Sequence, residues 1–220
     1  MDTKTNKIKG IIYKVLPYKE SAKMVFVYTE KGKYTLIFQG AQKTNNLNRA
    51  ITQYLSLIEF ELNPMGKRMM NISQAKLLDS YDKLKDSYDT TKKYATILEL
   101  LDKVVTDEDE HETIFKIALE ALSDTKIGYL RFLARLLPVI GYHFNLKPDG
   151  RKIKGYSLLL NRLIYKEETE SIILDVVATT ELLKLFINKQ TDAFTQEDQL
   201  SSFLIKYYDY YLQYQFKTMK

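Results

Sequence analysis

Residues 23–40 read KMVFVYTEKGKYTLIFQG, and the reading of the fold turns on them. Two stretches rich in β-branched and aromatic residues, Lys23–Tyr28 and Lys33–Gly40, flank Thr29-Glu30-Lys31-Gly32, which predicts two strands joined by a hairpin. Gly32 suits such a turn because it lacks a Cβ and takes the positive φ that other residues resist. In the second strand Tyr34, Leu36 and Phe38 alternate with Lys33, Thr35 and Gln39, so one face should turn to a core. Ile37 interrupts the polar set.

Working outward, similar stretches at Ile8–Leu16, Gln53–Leu62 and Arg68–Leu78 bring the expected strands to five. The polar segment Ala41–Ala50 links the third to the fourth, with a short helix expected around Asn48–Gln53. A short helix after the third strand is usual in the five-stranded Greek-key barrel called the OB-fold. After Tyr81 the period becomes helical: Tyr94, Ile97, Leu98 and Leu101 fall at i, i+3, i+4 and i+7, as do Ile114, Ile117, Ala118 and Ala121, and Leu130, Leu133, Ala134 and Leu137. The acidic run Asp107–Glu112 places negative charge where the dipole of the second helix favours it. Two more helices are expected at Glu181–Asn188 and Gln196–Phe216, with Thr179 or Thr180 and Thr195 as N-caps. Residues 142–175 hold Pro148, Gly150 and Gly155 between short apolar stretches and show no clear period. The expected class is therefore α+β and multidomain: a five-stranded OB-fold β-barrel over 1–80, then an all-α C-terminal domain over 81–220 with an irregular insertion around 142–175. No low-complexity linker divides the two, so they are expected to pack together.

Composition narrows the chemistry. The 220 residues are 45% hydrophobic and 28% charged, with eight Gly and four Pro, which suits a globular chain. Cysteine is absent, so disulfides, thiolate zinc sites and cysteine nucleophiles are excluded. Of the two histidines, His111 lies in the acidic run and His143 follows Gly141-Tyr142, and neither has metal-ligand spacing. No Gly-x-Gly-x-x-Gly and no Gly-Lys-Ser/Thr loop occurs, so nucleotide hydrolysis finds no support, and neither a cofactor nor an enzymatic activity is expected. No window approaches the 18 or so continuous apolar residues of a membrane span, and a cytoplasmic protein without a membrane partner is expected. The formal charge of +5 is unevenly distributed: residues 1–80 carry 13 basic against 6 acidic side chains, and the remainder 20 against 22. A basic third of this kind is the footprint of a polyanion binder, because neutralising phosphates releases condensed counterions. It equally fits lysines that keep strands soluble, and charge alone does not choose.

The N-terminal strands carry a resemblance. Lys9-Gly10-Ile11-Ile12 followed by Tyr18-Lys19-Glu20-Ser21-Ala22-Lys23-Met24 looks like the opening of the RecO family of recombination mediators. Thr29-Glu30 with Gly32-Lys33 occupies that family's second turn. Gly40-Ala41-Gln42-Lys43 resembles its Gly-Ala-Arg-Lys segment, and Ser56-Leu57-Ile58-Glu59-Phe60 its fourth strand. Leu98-Glu99-Leu100-Leu101-Asp102, Arg131-Phe132 through Gly141-Tyr142, and Tyr207–Lys217 resemble its helical domain. Each motif is weak, and their conjunction in one order carries the weight. Two departures matter. Many members carry four zinc-binding cysteines after the equivalent of Gly141-Tyr142, where this chain has none, so no zinc is expected and residues 144–173 should be held by packing alone. Gln42 stands in place of a basic residue.

The resemblance implies a non-enzymatic protein of DNA repair and recombination that binds single-stranded DNA, and by the same contacts duplex DNA. It also implies that the protein anneals strands and acts with RecR to load RecA on strands coated by single-strand binding protein. Phosphate contacts are expected from Lys14, Lys19, Lys23, Lys33 and Lys43, with Arg49, Lys67 and Arg68 in support. Tyr18 and Tyr34 are candidate stacking platforms, although aromatic residues on short strands also serve as core. On the last helix Tyr207, Tyr210, Tyr211 and Tyr214 are candidates for gripping the acidic tail of single-strand binding protein, or equally for internal packing. An RNA-binding OB module, or an adaptor with a structural barrel, uses the same fold and stays open.

Overall fold

The computed structural model describes residues 7–62, 67–72, 74–186 and 194–219. The expected hairpin is present. Strands β2 (Ala22–Thr29) and β3 (Gly32–Phe38) pair antiparallel with Thr29 opposite Gly32, leaving Glu30 and Lys31 as the turn. Gly32 takes φ +100°. The Thr29 hydroxyl donates to the Gly32 carbonyl at 2.9 Å and accepts from the Lys31 amide at 3.0 Å. Strand β1 (Lys7–Tyr18) pairs antiparallel with β2 on one side and with β4 (Leu57–Glu61) on the other. Helix α1 (Leu47–Ile51) lies in the connection from β3 to β4, where the sequence places one.

The stretch expected as one fifth strand forms two. β5 (Met69–Ile72) runs parallel to β3, whereas β6 (Ala75–Asp79) runs antiparallel to β4. The order β5-β3-β2-β1-β4-β6 therefore places at its two edges strands that follow one another in the chain. The sheet curls into a half-barrel, and its class is that of an OB-fold.

Both faces of this sheet are covered. Ile8, Ile12, Val25, Val27, Leu36, Phe38, Ile58 and Phe60 fill the interior with Met70 and Ile72, each fully buried aliphatic contributing about 1.5–3 kcal/mol. On the outer face Ile11 lies opposite Tyr28, and both are fully buried. The Tyr28 hydroxyl is hydrogen-bonded to His111 Nδ1 at 3.0 Å and its ring packs against Phe115, both on α3 (His111–Ser123). Ile37 lies on the face of β3 that carries Lys33, which meets the end of α2 (Tyr88–Lys103). Its break in the alternation thus reflects a second buried face. Because α2 and α3 cover the sheet, the first compact unit reaches Thr125.

The second unit begins at Lys126. Its helices are α4 (Gly128–Val139), α5 (Val176–Phe186) and α6 (Glu197–Leu212). Where the sequence offered an irregular insertion, the chain forms a small sheet of β7 (Ile153–Ser157), β8 (Arg162–Tyr165) and β9 (Leu174–Asp175) in the order β8-β7-β9. The helical domain is thus not all-α. More than packing holds this segment. The Phe144 ring centroid lies 4.5 Å from that of Tyr207 and 6.3 Å from that of Tyr156, and Phe186 and Phe203 complete the cluster. Arg151 bridges Asp149 at 2.6 Å and Glu168 at 3.0 Å, and Glu168 also takes Arg162 at 2.7 Å. Hydrogen bonds from Arg151 hold the Asp149 carboxyl down at about 2.

Helix α5 starts earlier than its expected threonine caps. The Asp175 carboxylate accepts from the Ala178 amide at 2.8 Å, while Thr179 and Thr180 lie inside the helix and donate back to the Asp175 and Val176 carbonyls. Its expected end, Asn188, lies outside the described residues. Helix α6 stops at Leu212 rather than Phe216, with Gln213 left-handed at φ +53°. Thr195 does not cap α6 with its own side chain; the Glu181 carboxylate does so instead. Among the described residues no helix is long and apolar enough to cross a membrane, and no group of three His, Asp or Glu side chains is placed to hold a metal ion.

Candidate nucleic-acid interface

The half-barrel has two ends, set by the direction of β2. At one end β1 finishes and β2 begins; at the other β2 turns into β3. The eight cations named from the sequence divide between these ends and the loop before β5.

The first end gathers Lys14, Lys19, Lys23, Lys43 and Arg49. Lys14 and Tyr18 lie on β1, and the Lys14 ammonium sits over the Phe26 ring of β2 at 5.1 Å. Lys19 is exposed in the turn between β1 and β2 and adopts φ +52°, a left-handed conformation that costs a lysine about 1–2 kcal/mol. Gln42 holds that turn. Its side-chain amide donates to the Lys19 carbonyl at 3.2 Å and the Ala22 carbonyl at 2.6 Å, and its backbone amide donates to Ser21 at 2.9 Å. The residue that lowers the local charge is thus the clamp that keeps Lys19 and Lys43 together. Lys43 and Arg49 are exposed, and Lys19, Lys43 and Arg49 make no salt bridge among the described residues. Lys23 is half-buried and donates to the carbonyl of Thr52, the C-cap of α1, at 3.4 Å. Burial and then the charge of Arg49 lower its pKa. Glu20 is the one acidic residue between Lys14 and Thr29.

The other end differs in kind. Lys33 is turned to the helices: its ammonium donates to the Asp102 carbonyl at 3.0 Å and the Val105 carbonyl at 2.7 Å, at the end of α2. Burial lowers its pKa, with Asp102 and Asp107 opposing. A lysine so placed caps a helix and does not present its charge to solvent. Arg68 donates to the Lys33 carbonyl at 3.1 Å, pairs with Asp107 at 3.6 Å and lies over the Tyr34 ring at 5.5 Å. Tyr34 packs against the barrel interior beneath it. Lys67 is exposed beside the cleft between β4 and β5. The two stacking candidates are thus separated, Tyr18 at the first end beneath Lys19 at 5.4 Å and Tyr34 at the second.

In the second unit the four tyrosines also part. Tyr207 is 1% exposed inside the Phe144 cluster, out of reach of any partner, and burial pushes its phenol up to about 12. Tyr211 stacks on it at 4.5 Å and donates to the Leu158 carbonyl at 2.7 Å. Tyr210 is 53% exposed, and Tyr214 packs edge-on against Phe216. Leu159 and Leu160, in the turn between β7 and β8, are exposed as well. The sequence reading missed three structural residues: Lys33 as a helix cap, Gln42 as a clamp and Glu181 as the cap of α6. A polar side chain inside an otherwise apolar or turn segment was the only signal each gave.

Comparison with known proteins agrees with this architecture. The family described as "Recombination protein O N terminal" matches residues 1–81. The DNA repair protein RecO of Desulforamulus reducens is 27% identical over 242 residues, covering 98% of this chain and 93% of that protein. RecO of Clostridium acetobutylicum is 27% identical over 64% of this chain and 60% of its own length, and RecO of Clostridium novyi 30% identical over 64% and 58%. Among solved structures, an asparaginyl-tRNA synthetase of Entamoeba histolytica overlaps 69% of this chain and 36% of its own, with a TM-score of 0.29 and 13% identity, too loose a likeness to bear on the fold. With a matching N-terminal domain and a relative aligned along nearly its full length, the chain belongs to the RecO family.

Proposed function

We propose that this chain is a DNA-binding recombination mediator of DNA repair, working through binding energy without catalysis. Single strands are held at the first end of the half-barrel by phosphate contacts from Lys14, Lys19, Lys43 and Arg49. Lys23 stiffens that end and adds to its field, and Tyr18 offers a stacking face. Complementary strands brought to such a surface meet at raised local concentration and anneal. Lys33 and Arg68 are assigned structural roles, and Lys67 a peripheral one. The observation that carries this reading is the gathering of Lys19, Lys43 and Arg49, exposed and without a carboxylate partner, around one clamped turn.

Family membership supports the cellular role: action with RecR and RecA on strands coated by single-strand binding protein. Tyr210, Tyr211 and Tyr214, beside Leu159 and Leu160, form the surface proposed for the tail of that protein. The test is strand annealing without ATP, comparing the wild type with a variant carrying Lys43→Glu and Arg49→Glu. Annealing and affinity should both fall, and the slope of log affinity on log salt should flatten by about two for the two lost contacts. Unchanged annealing and slope would remove this end of the barrel from the mechanism. Competition with RNA of the same length tests the substrate: equal affinity would favour a general single-strand binder.

A further inference from the structure

Leu47 is 86% exposed, the most exposed of the large apolar side chains among the described residues. It opens α1 inside the polar segment Thr44-Asn45-Asn46-Leu47-Asn48-Arg49. Single exposed leucines are common and by themselves mean little. This one is held firmly. The Asn46 side chain accepts from the Asn48 amide at 2.8 Å, the Asn46 carbonyl accepts from the Arg49 amide at 2.9 Å, and the Asn48 side chain donates to the Gln39 carbonyl at 3.1 Å. One helical turn later Ile51 packs against the barrel interior, so α1 is anchored at one end while Leu47 overhangs at the other. Around it stand the exposed Lys43 and Arg49. Leu16, 42% exposed on β1 between Lys14 and Tyr18, is a second apolar side chain of the same end.

A rigid apolar side chain among unpaired cations fits one class of occupant, a polyanion that also offers apolar faces. Nucleic-acid bases supply such faces only where they are not paired. In a duplex the bases are stacked, and opening a step costs more than burying one leucine returns. In a single strand the faces are already available. We infer that Leu47 contacts the faces of unpaired bases and makes this basic end discriminate single strands from duplex. The inference rests on the nucleic-acid reading given above and adds to it a residue that reads base exposure rather than charge.

The test uses the whole chain with two probes: a labelled oligothymidine strand, and a labelled blunt duplex with the same number of phosphates, both titrated over a salt series. Leu47→Ser should weaken single-strand binding about three- to tenfold, leaving duplex affinity and both salt slopes as in the wild type. Leu47→Trp, which offers a larger stacking face at the same exposed position, should tighten single-strand binding alone. Equal loss on both probes, or no change with either variant, overturns the assignment of Leu47. A wild-type chain that binds neither probe in a salt-dependent way overturns the nucleic-acid reading itself, and the two failures are thereby separated.

Discussion

The ammonium of Lys33 lies 2.7 Å from the carbonyl oxygen of Val105, just past the end of α2, and reaches the Asp102 carbonyl as well. The last carbonyls of a helix lack intrahelical donors and carry the negative end of its dipole, so a half-buried cation there ties β3 to the helix covering the sheet. Charge-assisted hydrogen bonds of this kind contribute about 1.5–3 kcal/mol. Lys33→Met is therefore expected to lower the urea midpoint of the first unit by an amount equivalent to about 2 kcal/mol, and Lys33→Glu by more, since an anion would face those carbonyls. Nucleic-acid affinity per folded molecule should stay near the wild-type value for Lys33→Met. A large loss of affinity in the fully folded variant would show that Lys33 leaves its cap to meet phosphate.

Gln42 gives a second prediction. Its amide nitrogen donates to two carbonyls of the turn that holds Lys19 in a left-handed conformation. Gln42→Glu keeps the shape but turns both donors into acceptors facing carbonyl oxygens, at a cost of about 1–3 kcal/mol. Hydrogen exchange at the amides of residues 19–22 should quicken, and single-strand affinity should fall by more than one added negative charge accounts for. Gln42→Ala, with the charge unchanged, separates the effects: affinity should fall here as well, because the turn loosens.

How much of this was legible depended on which surface a residue met. Tyr34, Leu36 and Phe38 announced the barrel interior through their period of two, because solvent or a different partner lies on the other side. Ile37 and Ile11 could not be assigned, since the helices that cover them come from sequence at least fifty residues away. The same distance hid the role of Lys33: its partners, Asp102 and Val105, are unremarkable backbone carbonyls. Arg68–Leu78 read as one strand because strand propensity says nothing about which edge a residue pairs with, and here β5 and β6 join different edges. The small sheet of residues 153–175 escaped notice because its strands have five, four and two residues, too few for a period to show, and are fixed by Phe144 and by the ion pairs of Arg151. The cations of the first end were legible as a set. Their separation from Lys33 and Arg68 was not.

Tyrosine burial predicts the alkaline limit of stability. Desolvation raises the phenol pKa of Tyr13, Tyr28, Tyr129, Tyr156 and Tyr208 and pushes Tyr81 and Tyr207 up to about 12. In the unfolded chain these phenols ionise near the ordinary value of 10.0. Between the two values the folded state holds more protons than the unfolded state, so stability falls as pH rises. The contribution is whole below about pH 10 and is lost progressively as pH climbs through 10 toward 12. Ultraviolet titration of tyrosinate should show most of these residues ionising together with the loss of near-ultraviolet circular dichroism. A gradual titration of all of them near pH 10 in a chain that stays folded would contradict their burial.

Glu181 is 5% exposed, and both of its carboxylate oxygens face the start of α6: Oε1 accepts from the Thr195 amide and hydroxyl at 2.8 Å each, and Oε2 from the Gln196 amide at 3.0 Å. The side chain thus does from α5 what an N-cap does within a helix, and its charge also lies at the positive end of the α6 dipole. Glu181→Gln retains one acceptor oxygen but places an amide nitrogen against a backbone donor, so about 2 kcal/mol should be lost. Glu181→Ala removes every acceptor from three partly buried donors and should cost about 3–5 kcal/mol, near the value for breaking a buried charged contact. Thermal unfolding of the two variants orders them if the carboxylate is the cap. Because α6 carries Phe203, Tyr207 and Tyr208 into the aromatic interior of the second unit, the Ala variant should also expose tyrosine fluorescence to quenching by iodide below its melting temperature. Equal stability of wild type and Glu181→Ala would mean that water replaces the carboxylate at little cost and that α6 is held by its aromatic face alone.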